Sequence, residues 1–341
     1  MNRSAHVSED RPAAFAGTRR GERPLVTVIV LSYDRPDLLQ RAIASVLAQT
    51  YPHIEVIVVD NRSASSDRVR DVVRQFASAR FVANESNLGF TGGMNKGLGE
   101  ATGEYAYLTE DDIELDPRCL EEIIDYLQQH PATGLAGPIM FNRHAGTIRC
   151  AGGWFDLGAV YRMTIFGVSE RRHRAFFKPF AVAYLPGSTM CASLALWRRL
   201  GGFRDDFFMY GEDVELCARL QEQGHEIVVV PAAKVFHEEP SDAGRSSLLA
   251  FHKQKNLAAT YLLHASAFVL PEFVFRYGVI GFLRALVGNR PQLGVFLKAW
   301  WWVFRNSPRL LAARRGGVHG QRRSAGPAGT GLTTVGQSTR R

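Results

Sequence analysis

Between residues 26 and 60 the chain reads "VTVIVLSYDRPDLLQRAIASVLAQTYPHIEVIVVD", and this stretch restricts the fold more than any other. Val26 to Leu31 is a short apolar, β-branched run, as in a strand buried on both faces. Leu39, Ile43, Val46 and Leu47 follow at helical spacing, and Pro36 suits a first helical turn. "IEVIVVD" is a second buried strand, ending in Asp60. Strand, helix and strand within about 35 residues make a βαβ unit, so the sheet is parallel and the crossover right-handed.

The pattern continues. The spacing predicts a helix over 66–77, a strand in "ARFVANESN" and a short helix over 92–101 within the Gly-rich "LGFTGGMNKGLGEATGE". "YAYLTEDDIELDP" reads as a strand that ends in acid, and Asp116-Pro117 opens a helix carrying Leu120, Ile123, Ile124 and Leu127 on one face. Residues 134–185 are less regular, with strand-like pieces. Helices are predicted over 190–200 and 212–223, the second closed by Gly224, and "HEIVVVP" closes the α/β part as a strand. After about residue 245 the chain becomes helical, aromatic and basic. Glu272, Arg276 and Arg284 interrupt its apolar stretch, which reads as interfacial helices on an anionic membrane surface or as an ordinary helical subdomain. The organisation is a tail over 1–23, an α/β domain over 24–240, a helical region over 241–315 and a basic, Gly- and Ser-rich tail over 316–341.

A net charge of +8 points to an anionic partner, and much of the basic excess lies in the tails and the C-terminal helices, which argues against nucleic acid. Cys119, Cys150, Cys191 and Cys217 are widely spaced with no CxxC, which supports neither a zinc cluster nor a disulfide scaffold. The N-terminal segment has no apolar signal core. A reduced, cytoplasmic setting is the expectation.

In an open parallel α/β sheet, ligands sit at the carboxyl ends of the strands. Asp60 stands at such an end, either to accept hydrogen bonds from a nucleobase or ribose or to form a turn with Asn61. Glu110, Asp111 and Asp112 pack three acids at another, where a hard divalent cation holding a diphosphate, or a solvated loop, accounts for them. Strand alternation puts Glu110 and Asp112 on one side. The Gly-rich segment lets backbone approach a phosphate or sugar, but it is neither the dinucleotide-binding nor the P-loop pattern. Glu212 and Asp213 sit in a first helical turn, as dipole-stabilising acids or with one as a general base. His237 follows a strand, as a structural histidine or a metal ligand.

Taken in order, "VTVIVLSYDRPDLL…IEVIVVDNRSASSD", "NLGFTGGMNKGL", "LTEDD" and "GGFRDDFFMYGEDVELCARLQEQGHEIVVVPAAKVFH" resemble the family 2 glycosyltransferases of GT-A type over residues 25–237. The nearest likeness is to bacterial rhamnosyltransferase-like and galactofuranosyltransferase-like members that build cell-wall or surface polysaccharide. The resemblance implies a Rossmann-like, mostly parallel sheet flanked by helices, with a C-terminal helical extension. It implies inverting transfer from a nucleoside diphosphate sugar, dTDP-rhamnose or a UDP-sugar, to a saccharide or polyprenyl-linked acceptor, at the inner face of the cell membrane. Asp60 then matches the base-contacting carboxylate. Ser32 and Arg35 lie in the first nucleotide loop, and Asn87, Gly89 and Asn95 match the donor-contacting loop. Asp111 lies with the donor, and Glu110, Asp112 and His237 match ligands of a divalent cation, Mn or Mg. Asp213 matches the catalytic base. In this sequence Glu110 stands where Asp is usual, and Arg204 where an acid is common. A sugar nucleotidylyltransferase would want a Gly-rich basic loop directly after the first strand. A non-catalytic sugar-nucleotide-binding module would keep Asp60 without needing Asp213.

Overall fold

The computed structural model describes residues 23–159, 162–167, 177–238, 247–288 and 290–316. Apart from Arg23 and Gly316, the predicted tails lie outside these residues. Arg23 is tied to the domain by an ion pair with Glu121 at 3.0 Å.

The first half alternates as expected: β1 (Val26–Ser32), α1 (Pro36–Leu47), β2 (Ile54–Asp60), α2 (Ser66–Arg74), β3 (Ala79–Ala83), α3 (Gly89–Glu100) and β4 (Tyr105–Glu110). β4, β1, β2 and β3 lie side by side, all parallel. The short β5 (Ile113–Leu115) precedes α4 (Cys119–Gln129) and β6 (Thr133–Asn142); the irregular middle supplies β7 (Ile148–Cys150), β8 (Gly153–Asp156), β9 (Arg162–Ile165) and β10 (Phe180–Val182). Then come β11 (Cys191–Ser193), α5 (Leu194–Leu200), α6 (Glu212–Glu222) and β12 (Glu226–His237). The sheet is mixed: β11 runs antiparallel between β4 and β6, while β12 runs parallel to β6.

Successive strand residues feed opposite faces. Val26, Val28 and Val30 pack with Leu39 of α1, Val69 of α2 and Ile123 of α4. Ile29 and Leu31 pack with Met94 of α3, Trp197 of α5 and Leu216 of α6. Both faces are dry, which is why the strands read as unbroken apolar runs.

Four expectations shift. α3 begins at Gly89, three residues early, because Gly89 itself takes the left-handed turn (φ +69°) that starts it. The helix predicted over 190–200 opens as strand β11, because Cys191 to Ser193 fill the slot between β4 and β6. Leu47 is exposed at the end of α1. His237 is the last residue of β12, not a loop residue beyond it.

The C-terminal region is built from α7 (Ser247–His264), α8 (Leu270–Phe273), a π-helical stretch (Val274–Ile280), α9 (Gly281–Val287) and α10 (Arg290–Gly316). Tyr261, Phe273 and Tyr277 stack in series, at 4.1 and 4.9 Å between ring centres. Among the described residues no helix is long and apolar enough to cross a membrane.

Candidate active site

Register brings the predicted strand ends together: Ser32 pairs across to Asp60, and Leu31 to Glu110. The loops that leave these strands are stitched to one another. Asp34, in a left-handed conformation, donates its N–H to Ser63 Oγ and accepts from Ser65 N–H and Oγ. Asp60 is buried and accepts from Ser63 N–H at 3.1 Å and Ser66 Oγ at 2.6 Å. Asn61, singled out by nothing in the sequence beyond its place after Asp60, is the hub of this region. It donates to Asn87 Oδ1 and to the Gly89 carbonyl, and accepts from Asn84 and from Leu88 N–H. Asn87 also receives Gly89 N–H. The second strand end and the Gly-rich segment are thus one unit. Asn95 is engaged elsewhere: its amide bonds Phe203 through both N–H and carbonyl and reaches Asp205.

β4 stops at Glu110, and Asp111 and Asp112 form the turn to β5, so strand alternation does not carry through the acids. Asp111 turns inward and accepts from Ser32 Oγ at 2.9 Å and Tyr33 N–H at 3.0 Å. Arg35 lies over both aspartates, 3.6 Å from Asp111 and 2.6 Å from Asp112. β5 pairs with the end of β12, setting Ile113 opposite His237, and Glu238 N–H donates to the Asp112 carbonyl. That pairing leaves His237 Nε2 3.8 Å from Asp112 Oδ1. Burial holds His237 below its usual pKa against the pull of Asp112, which favours the neutral ring, the form with a lone pair to offer. Burial and the neighbouring Asp112 and Asp111 push Glu110 up to about 8, and burial pushes Asp111 up to about 7 against Arg35.

The expected ligand trio is not gathered as a set. Among the described residues no three His, Cys, Asp or Glu side chains converge closely enough to hold an ion alone. The acids nonetheless fit a cation. Asp112 Oδ1 and His237 Nδ1 are buried without hydrogen-bond partners, and a second carboxylate, Glu110, is pushed up by burial and by Asp112.

Asp213 stands in the first turn of α6, after an unusual approach. Phe208 and Tyr210 both take left-handed conformations (φ +65° and +63°), and Gly211 follows at +88°. The strain is held by α7. Asn256, fully buried, donates to the carbonyls of Phe207, Met209 and Tyr210 at 2.9, 2.9 and 2.7 Å. Lys255 bonds the Asp206 and Phe207 carbonyls, and burial lowers it to about 8. His252 Nδ1 meets the Phe207 carbonyl as well. Asp213 accepts from Tyr184 Oη at 2.8 Å and from Val214 N–H at 2.8 Å. Burial raises its pKa, and those bonds pull it partly back. Burial, and then the charge of Asp213, push Glu212 beside it well above its usual pKa. Asp213 also lines a cavity of about 870 Å³ that runs beneath the C-terminal helices, with Tyr184, Tyr210 and Gly211 beside it. Sequence reasoning missed Tyr184, Asn256, Lys255 and His252, none of which lies in a recognisable motif.

The sequence pattern of glycosyl transferase family group 2 matches residues 106–304, more than half of the chain, and that of glycosyl transferase family 2 matches residues 27–174. The chain belongs to glycosyltransferase family 2. The N-acetylglucosaminyl-diphospho-decaprenol L-rhamnosyltransferase of Mycobacterium tuberculosis is 25% identical over 252 residues, covering 67% of this chain and 82% of that one. The O-antigen biosynthesis protein RfbC of Myxococcus xanthus is 30% identical over 233 residues, 63% of this chain but 17% of that protein. Two solved structures share the fold. GalNAc-T7 with UDP, GalNAc and Mn²⁺ aligns with a TM-score of 0.57 at 16% identity, over 84% of this chain and 57% of that one. The mannosyltransferase PcManGT from Pyrobaculum calidifontis, with GDP-Man and Mn²⁺, gives 0.52 at 17% identity, over 86% and 85%. The mixed sheet with helices on both faces is therefore the GT-A arrangement.

Proposed function

We propose that this glycosyltransferase moves one sugar at a time, with inversion, from a nucleoside diphosphate sugar to a polyprenyl-linked saccharide in cell-wall or surface polysaccharide synthesis. The observation that carries the reading is Asp213: a carboxylate with raised pKa, held by Tyr184 and opening into a cavity, in electrostatic contact with Glu110 of the acidic strand end. A base poised nearer neutrality takes a proton more readily from an attacking hydroxyl. The acceptor oxygen loses its proton to Asp213 as it bonds the anomeric carbon, and the bond to the diphosphate breaks on the opposite face. No covalent nucleophile is needed.

The donor nucleotide belongs against the stitched loops of Ser32 to Arg35 and Asp60 to Ser63, with Asn87 and Gly89 holding the Gly-rich segment beside them. Asp112 and His237, with Glu110, would hold a divalent cation, Mn or Mg, which when bound neutralises the diphosphate. The donor's phosphate oxygens complete a ligand set that the protein leaves short. Both solved relatives carry Mn²⁺ with a nucleotide or nucleotide sugar, UDP in one and GDP-Man in the other, and the mycobacterial relative is named for a decaprenyl diphosphate acceptor. The choice between dTDP-rhamnose and a UDP-sugar follows the rhamnosyltransferase relative and stands as part of the proposal.

Membrane contact belongs to the same reading. Phe275, Leu283, Val287, Trp301 and Phe304 on the C-terminal helices, and Phe268 in the turn before α8, are exposed among Arg276, Arg284, Lys298 and Arg305. Aromatic side chains suit the headgroup boundary and the cations suit anionic lipid, which supports a peripheral position on the inner face of the membrane. The central test is Asp213→Asn: sugar transfer is lost while nucleotide binding survives. Near-normal turnover in this variant would remove Asp213 as the base.

A further inference from the structure

The cavity that reaches Asp213 is larger than an acceptor sugar requires, and its walls are of two kinds. The catalytic loop, Phe207 to Asp213, contributes Tyr210, Gly211 and Asp213, with Tyr184 standing against it. The C-terminal helices contribute a mainly apolar wall of Leu257, Ala258, Phe273, Ala285, Phe296 and Trp300, broken by Gln254, Thr260, Tyr261, Tyr277 and Gln292. A saccharide carries a hydroxyl on nearly every carbon, and each one buried against such a wall without a partner is strongly disfavoured. The apolar part of that wall therefore favours an aliphatic chain over a sugar. An aliphatic chain loses nothing there and gains from every methylene it removes from water.

Four charged side chains line the space: Asp156, Asp213, Lys253 and Arg284. Asp156 accepts the N–H of Gly158, and Asp213 is held by Tyr184 and Val214. The two cations complement an anionic linker, and Lys253 lies over the Tyr210 ring at 4.9 Å, beside the catalytic loop. The helices that roof the cavity are the ones that expose Leu283, Trp301 and Phe304 outward, so the space adjoins the surface where a lipid would arrive.

Resting on the lipid-linked acceptor proposed above, we propose that this cavity is an isoprenoid tunnel. The first isoprene units of the acceptor lie between α7, α9 and α10, the diphosphate faces Lys253 and Arg284, and the sugar hydroxyl is delivered to Asp213. The C-terminal helices thereby bind the substrate as well as contact the membrane.

Binding of geranylgeranyl diphosphate, geranyl diphosphate and inorganic diphosphate to the full-length protein, below the micellar range, tests this by calorimetry. The four-unit chain binds roughly tenfold or more tighter than the two-unit chain. Ala285→Trp, which fills the cavity from a half-buried wall position, removes that gain and leaves the two-unit chain unchanged; Ala258→Phe repeats the effect from α7 should the first variant unfold. Trp301→Ser with Phe304→Ser, on the outer face, leaves it intact. Equal affinity for both chain lengths in the wild type overturns the tunnel. So does retention of the gain in both filled variants, or its loss in the outer-face variant. Turnover of nucleotide sugars is measured separately: absent transfer with intact chain-length discrimination counts against the transferase reading and keeps the tunnel.

Discussion

Tyr184→Phe isolates the tuning of the base. The phenol donates to Asp213 Oδ2 at 2.8 Å and is itself buried. A hydrogen bond to a charged acceptor contributes about 1.5–3 kcal/mol, and one pKa unit corresponds to about 1.4 kcal/mol. The bond stabilises the ionised carboxylate, so its loss raises the Asp213 pKa further. Burial already raises that pKa, and the protonated form is inactive as a base. Activity is therefore present above the folded-state pKa and lost as pH falls through it, and the substitution moves that acid limb to higher pH. The assay is kcat/KM for transfer across pH, with nucleotide affinity as the control. The variant falls roughly ten- to a hundredfold below wild type on the acid side and converges with it on the alkaline side. A loss of equal size at every pH would mean that Tyr184 positions the acceptor instead of tuning the base. A limb displaced to lower pH would refute the sign of the argument.

Asp112→Ala removes an unpartnered carboxylate oxygen beside His237, and manganese titration of nucleotide binding should weaken by about tenfold or more; an unchanged titration refutes a metal role there. Gly89→Ala places a Cβ against the Phe208 carbonyl at a left-handed φ, costing about 1–3 kcal/mol by denaturant unfolding, with a matching fall in kcat because the Gly-rich segment meets the base loop there. His264 bridges Glu215 and Glu222 between α6 and α7, and those carboxylates raise it to about 8 from 6.5. A raised cation stabilises the fold below pH 6.5 and loses that effect as pH passes 8, so about 2 kcal/mol of stability should disappear over this window and His264→Gln should flatten it. Full-length protein should co-sediment with anionic vesicles at low salt, and Trp301→Ser with Phe304→Ser should release it; equal sedimentation by both refutes the membrane face.

The α/β half was legible because its signals are local. Strands buried on both faces must be apolar throughout, and α1, α2 and α4 must turn an apolar face to them, so β1 to β4 follow from periodicity. The strand ends then place Asp60 and Glu110 at the same edge of the sheet, on either side of the end of β1. What failed depended on partners far away in sequence. β11 is three residues long and is a strand only because β4 and β6 leave room on either side of it. Asp112 meets His237 because β5 pairs with β12, a contact across more than a hundred residues that no alternation rule contains. Asn95 carries the residue type of a donor contact, but its amide completes the turn at Phe203, which only the folded chain reveals.

The C-terminal helices show the same limit in a form that matters for function. Their aromatic and basic composition admits both a membrane surface and a packed subdomain, and the two are not exclusive. Asn256, Lys255 and His252 sit on the inner side of α7 and hold the carbonyls of a loop with two left-handed non-glycine residues. Phe207 of that loop is packed by Leu263 of α7 and Leu310 of α10. Such a loop does not keep its shape alone: each left-handed non-glycine residue costs on the order of 1 kcal/mol, and the carbonyls need donors that α6 cannot supply. Removing the chain beyond about residue 245 would therefore release the base loop along with any lipid contact. A truncated enzyme that lost both transfer and vesicle binding could not say which was the cause. The point substitutions on the outer face separate them, because Trp301 and Phe304 are exposed while the residues that brace Asp213 face inward.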